Sequence, residues 1–247
     1  MGITADLQRA LDAAASTPHL LVTSDFDGTL SPIVNNPSEA RPLPAAAAAL
    51  IALADLPSTT VGLVSGRALA VLRSLSQMPA EVHLIGSHGA EPSTGFAHPI
   101  DEAKLARITE ELHVIAADRP GVTVETKPAS VALHVRNASA EDGDAALREA
   151  RAAAASWDAQ ATEGKAVLEF AVISTDKGEA VDIMRAQSDA TAVVFLGDDV
   201  TDEKAFRRLR NTDVGVKVGP GPTLATFRID TPDDVADVLA YLLDARR

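Results

Sequence analysis

The chain has 247 residues, 22 basic against 35 acidic for a formal charge of -13, no cysteine and only 3% aromatic residues. That length supports one or two domains with a real core and excludes a small disulfide scaffold, while the missing cysteines exclude a thiolate metal site and a cysteine nucleophile. The acidic balance and scarce aromatics argue against a nucleic-acid surface, and no run reaches the roughly 18 to 20 apolar residues of a membrane span.

The opening MGITADLQRALDAAAST lacks the basic flank and apolar segment of a signal peptide, so a soluble, cytoplasmic chain is expected, and nothing in the sequence requires more than a monomer. HLLVTS (19–24) then reads as a buried strand, followed by DFDGTL, the helical pattern LPAAAAALIALADL (43–56), the strand TVGLVS (60–65), the helix RALAVLRSLSQ (67–77) and the strand VHLIGS (82–87). Apolar runs without alternation suit strands covered on both faces.

The middle of the chain differs. An amphipathic helix at 101–119 precedes the alternating stretch VTVETKPASVALHVR (122–136), and a second helix at 141–156 precedes AQATEGKAVLEFAV (159–172). This set predicts an open antiparallel sheet backed by two helices, a separate domain over 99–174 inserted between 1–98 and 175–247. The first pattern then resumes: helix 177–188, strand AVVFLG (192–197), helix 202–210, strand DVGVKVG (213–219) and helix 233–247. The predicted fold class is α/β, a doubly wound parallel sheet with an inserted α+β cap.

In such a sheet the loops at the carboxyl ends of the strands converge on one crevice. Four of these ends carry polar groups: Asp25 and Asp27 in DFDGTL, Ser65 with Gly66 and Arg67, Lys177 opening a helix, and Asp198, Asp199 and Asp202 in GDDVTD. Each piece alone has a bland reading as a turn, a helix cap or a solvated charge. Together they place several acids at one sheet end, where they would repel one another without a cation. Mg2+, a hard ion that prefers carboxylate and water oxygens and binds beside phosphate, answers that need.

With these residues in hand, the sequence resembles the haloacid-dehalogenase-like (HAD) phosphatases, with DFDGTL as the first motif, Ser65 the second, Lys177 the third and GDDVTD the fourth. The resemblance implies a Rossmann-like core, Asp25 as a nucleophile forming an aspartyl phosphate, and Asp27 as acid and base toward the leaving sugar oxygen and then water. It implies Mg2+ held by Asp25, the carbonyl of Asp27 and Asp198, with Ser65 and Lys177 on the phosphoryl oxygens and Asp199 and Asp202 supporting.

Longer strings, GSHGAE (86–91), KPASVALHVR (127–136), EGKAVLE (163–169) and GDDVTDEKAF (197–206), are similar to the trehalose-6-phosphate phosphatases. That likeness implies hydrolysis of a sugar phosphate, trehalose 6-phosphate, with Arg67, His88, Glu91, Lys127, Arg136, Glu163 and Glu169 as substrate-binding residues. His134 reads as a packed sheet residue. One departure is FAVISTDKG, which has no Arg, Lys or Pro before Lys177 where many relatives carry them, so the cap's charge toward phosphate is either smaller or supplied by Lys165 or Arg136. The alternatives are a phosphatase for a sucrose or glycosyl-glycerate phosphate, and a silent domain that binds a sugar phosphate or a partner synthase.

Overall fold

A computed structural model describes residues 3–93, 99–173 and 175–247. In chain order its elements are α1 Ala5–Ala15, β1 Leu20–Ser24, α2 Pro44–Ala54, β2 Thr59–Val64, α3 Leu69–Ser76, β3 Val82–Gly86, β4 Glu91–Pro92, α4 Glu102–Ala116, β5 Thr123–Thr126 and β6 Ser130–His134. They continue with α5 Ala140–Ala154, β7 Gln160–Gly164, β8 Val167–Ala171, α6 Lys177–Gln187, β9 Ala192–Gly197, α7 Glu203–Arg208, β10 Val214–Val218, β11 Phe227–Ile229 and α8 Pro232–Arg246. The chain divides into two compact units, Met1–Gly95 with Thr175–Arg247, and Phe96–Ser174. The boundaries expected at 98/99 and 174/175 fall at residues 98 and 174, which lie outside the described residues. Among the described residues no helix is long and apolar enough to cross a membrane.

The first unit is built on a seven-stranded sheet in the order β11-β10-β9-β1-β2-β3-β4, parallel except for the edge strand β4. Strands β1 and β9 at its centre are buried along their whole length because both faces are covered. Leu20 and Val22 of β1 and Val194 and Leu196 of β9 enter one core with Leu7, Leu11, Leu50, Leu53, Val238 and Leu239 of α1, α2 and α8. Leu21, Val193 and Phe195 point the other way, onto Val181 and Met184 of α6 and Phe206 of α7. Strand order reverses at β1, since β2 lies on one side of it and β9 on the other, so the crevice of this sheet opens where Ser24 ends β1 opposite Leu63 and Leu196.

Local signals set the helix starts. Alanine-rich α2 opens on Pro44, and Pro232 begins α8 behind a reciprocal cap between Thr231 and Asp234. The N-terminal helix α1 was not among the sequence expectations; Thr4 caps it, and Leu7, Leu11, Ala14 and Ala15 form its buried face.

The second unit is a four-stranded antiparallel sheet in the order β5-β6-β8-β7 with α4 and α5 packed in its core. Val131, Leu133, Leu168 and Phe170 meet Leu105, Ile108, Leu112, Ala146 and Ala150 there. Trp157 closes the core edge-on to Phe170 (centroids 4.8 Å, planes at 86°), and its indole N–H donates to Glu111 Oε2 at 2.8 Å. His134, read as a packed sheet residue, is half-buried at the end of β6 with Nε2 2.8 Å from Glu125 Oε2.

Candidate active site

The β1 end is fixed by its neighbours and by two apolar anchors. Asp25 N donates to Leu196 O on β9 at 2.9 Å, and Phe26 and Leu30, both fully buried, pin the turn that follows. Gly28 adopts φ +84, and a Cβ there would lie 2.2 Å from Asp198 Oδ2, so both conformation and space require glycine. This turn leaves the Asp25 carboxylate buried and that of Asp27 half-exposed.

Lys177 is the first residue of α6, a position set by Asp176, whose side chain accepts from Glu179 N at 2.9 Å. Its buried Nζ lies 2.9 Å from Asp25 Oδ1 and donates to Asp202 Oδ1 at 2.7 Å. Asp202 uses its other oxygen to accept from the N–H groups of Asp198 and Asp199, both at 2.9 Å. Asp198 Oδ1 in turn accepts from Thr29 Oγ1 at 3.1 Å. Asp25, Asp198 and Asp202 thus offer carboxylate oxygens within 4.8 Å of one another, while Asp199 is exposed.

The charges are unevenly compensated. Burial pushes the Asp25 carboxyl well above the usual carboxylate range; Lys177 pulls it back, and Asp202 and Asp198 push it further up. Asp198 is raised to about 6, first by burial and then by Asp202. Burial pulls the Lys177 ammonium down, but Asp202 and Asp25 outweigh this and hold it above its ordinary value. Lys177 is the lysine that pairs with carboxylates of this cluster, those of Asp25 and Asp202, and the all-oxygen donor set that includes Asp198 fits a hard divalent cation. Asp202 is already engaged at both oxygens, so Asp25 and Asp198 are the carboxylates left to hold one.

Ser65, at the end of β2, accepts from Arg67 N through Oγ at 3.2 Å. The Arg67 side chain, expected on the substrate, grips Asp27 through both carboxylate oxygens, with Nε and Nη2 each at 2.6 Å. Lys217 was missed by the sequence reading: it is buried, and its Nζ donates to the backbone carbonyl of Asp198. The signal was a lone lysine inside the apolar strand VGVKV. Glu91, expected as a sugar acceptor, takes Leu69 N at 2.8 Å and Ser87 Oγ at 3.2 Å on Oε2, while the His88 ring packs against Gly66.

The second unit does not gather all its expected residues. Glu169 Oε2 pairs with Lys127 Nζ at 2.7 Å and its Oε1 accepts from Ser130 Oγ at 2.6 Å. Leu168 enters the helix-side core, so Glu169 next to it points to the opposite face, whereas Glu163, directly across from Leu168, lies on the helix side and binds Arg151 of α5 at 2.6 Å. Glu163 and Glu169 are therefore not one cluster. Arg136 is exposed in the turn after β6.

A profile of the family described as trehalose-phosphatase matches residues 23–232. A trehalose-6-phosphate phosphatase of Escherichia coli (strain K12) is 33% identical over 230 residues, covering 90% of this chain and 85% of that protein. A trehalose-phosphate phosphatase of Mycobacterium avium (strain 104) is 36% identical over 251 residues, and the match covers 92% of this chain but 62% of that longer protein. Among solved structures, the C-terminal domain of a C. albicans trehalose-6-phosphate phosphatase superposes with a TM-score of 0.83 at 22% identity, covering 99% of this chain and 98% of that one. An Aspergillus fumigatus trehalose-6-phosphate phosphatase gives 0.71 at 26% identity, covering 99% of each.

Proposed function

Because the chain belongs to the trehalose-phosphatase family, we propose that it hydrolyses trehalose 6-phosphate to trehalose and phosphate, with Asp25 as nucleophile and Mg2+ as its cofactor. The observation that carries this reading is the buried Asp25 carboxylate at the end of β1, paired with Lys177 and with Asp198 in reach.

Asp25 Oδ attacks phosphorus in line, the bond from phosphorus to the sugar oxygen breaks, and Asp27 delivers a proton to that oxygen. Water then attacks the aspartyl phosphate, Asp27 takes its proton, and phosphate leaves with the Asp25 carboxylate restored. Lys177, tied to Asp202, holds Asp25 in place and offers a fixed positive charge to the transferring oxygens. The Ser65 hydroxyl supplies a further donor to the same oxygens. Asp25 and Asp198, with the Asp27 carbonyl, would hold Mg2+, which supplies positive charge that keeps the carboxylates ionised together and screens the incoming phosphate.

Asp27 cannot transfer a proton while both its oxygens accept from Arg67. A phosphoryl group offers the guanidinium an equivalent bidentate partner, so arrival of substrate frees Asp27 as Arg67 turns to phosphate. Lys127 and Glu169 are assigned to the sugar, and a water-soluble anionic substrate suits a cytoplasmic setting.

Phosphate release with Mg2+ from trehalose 6-phosphate, sucrose 6-phosphate and glucose 6-phosphate tests the assignment. Trehalose 6-phosphate is expected to lead by at least about tenfold in kcat/KM, which corresponds to about 1.4 kcal/mol of transition-state discrimination. A better rate on another sugar would replace the substrate, and binding without any turnover would replace the enzyme with a binding module.

A further inference from the structure

We propose that Glu91 is a positioning residue that holds the Ser65–Arg67 loop in shape for the phosphoryl group, acting through Leu69 N and the Ser87 hydroxyl and touching no sugar. The proposal rests on the phosphatase reading above and assigns one part of its machinery.

After β3 the chain enters a turn in which Ser87 and His88 take φ 50 and 56 and Gly89 takes 116. Two successive non-glycine residues in the left-handed region are unfavourable, and such a turn persists only where its surroundings dictate it. Here they do. Ser87 N donates to Arg67 O at 2.7 Å, His88 N to Ser65 O at 2.9 Å, and Ser65 N to Ile85 O at 2.9 Å. Segment 85–88 is thereby laced to loop 65–67 through the main chain of Ser65 and Arg67.

Close packing tightens the lacing. A Cβ at Gly66 would meet His88 Cε1 at 2.4 Å, one at Gly86 would meet Arg67 O at 2.7 Å, and one at Gly89 would meet Asp176 O at 2.7 Å. The turn therefore abuts both the Ser65–Arg67 loop and the residue that caps the Lys177 helix.

Glu91 joins the two sides of this arrangement. The first turn of α3 has no side-chain cap of its own, because the cap position is Ala68. Glu91 Oε2 supplies one from 22 residues away, accepting from Leu69 N at 2.8 Å, and the same oxygen accepts from Ser87 Oγ at 3.2 Å. Loss of the carboxylate frees the α3 terminus and the strained turn together, and loop 65–67 between them loses its hold. The damage should follow the phosphoryl group and be blind to the sugar.

The test compares wild type, Glu91→Ala, Glu91→Gln and Ser87→Ala in the whole chain. For each, kcat and KM are measured on trehalose 6-phosphate and p-nitrophenyl phosphate, with the inhibition constant of inorganic phosphate and the Mg2+-induced shift in Tm. Glu91→Ala is expected to lower kcat/KM by about 10- to 100-fold, equally on both substrates, and to weaken inorganic phosphate by a similar factor, as a misplacement of about 1 Å would. Glu91→Gln keeps an amide oxygen for both donors and should stay within about threefold of wild type on the same grounds.

A loss confined to trehalose 6-phosphate, a Gln variant as impaired as Ala, or a lower Tm with unchanged phosphate inhibition would each overturn the proposal. If Glu91→Ala does not fold, Ser87→Ala removes only one donor and decides the matter: substrate-independent weakening of phosphate supports the role, and wild-type constants refute it. A wild-type chain inert toward trehalose 6-phosphate would count against the function proposed above, while inorganic phosphate, followed by its shift in Tm, still decides the role of Glu91.

Discussion

Asp198 has a carboxyl raised from 3.8 to about 6, first by burial and then by Asp202. A carboxyl that binds its proton more tightly when folded adds stability below its unfolded value, and that contribution is lost as pH rises from 3.8 through about 6. A cation that needs the ionised carboxylates competes with that proton. Mg2+ is therefore expected to raise Tm strongly at about pH 7.5 and much less at about pH 5; an equal shift at both, or none at either, would remove the cation from this cluster. Asp25, Lys177, Asp198 and Asp202 were legible in the sequence because each stands at the end of an apolar run or the start of a helix. The grip of Arg67 on Asp27 and the reach of Glu91 to Leu69 were not, because they depend on how loops from different strands lie beside one another. Glu163 and Glu169 looked equivalent as residues, and only the hairpin register, with Glu163 across from Leu168, separates them onto two faces.

At the scale of elements, period and continuity carried most of the information. Unbroken apolar runs announced β1, β2, β3, β9 and β10, and the middle hairpins alternated as half-covered strands do. Helix α1 carries the same signal, since Leu7, Leu11, Ala14 and Ala15 stand at i, i+4, i+7 and i+8, the spacing of one helical face. Edge strands β4 and β11, of two and three residues, are too short to leave a pattern. The second unit depends on the contact of Phe170 with Trp157, which is the single tryptophan of the chain and so reports this unit selectively. Phe170→Ala is expected to cost about 3–5 kcal/mol in denaturant unfolding followed by tryptophan fluorescence. A loss below about 1 kcal/mol would mean that the core around α4 and α5 stands without this ring pair.

Across the whole molecule, a chain of net charge -13 is proposed to bind an anion, and the resolution is local. Lys177 is buried at the start of α6 and Lys217 near the carboxyl end of β10, and Arg67 stands on the loop after β2, while surface acids more than a Debye length of about 8–10 Å away are screened. The first unit supplies this arrangement from two distant stretches of sequence, so the motifs carry weight only in combination. Their order along the chain was readable; the mutual engagement of Asp25, Lys177 and Asp202 needed the sheet. The central claim is that the phosphoryl group passes through Asp25. Mixing the protein with trehalose 6-phosphate and Mg2+, quenching in acid within one turnover and mapping the phosphorylated peptide by mass spectrometry addresses it directly. Phosphate on the peptide containing Asp25, absent from Asp25→Asn together with all turnover, is the expected result; phosphate on another residue, or wild-type turnover by Asp25→Asn, would contradict it.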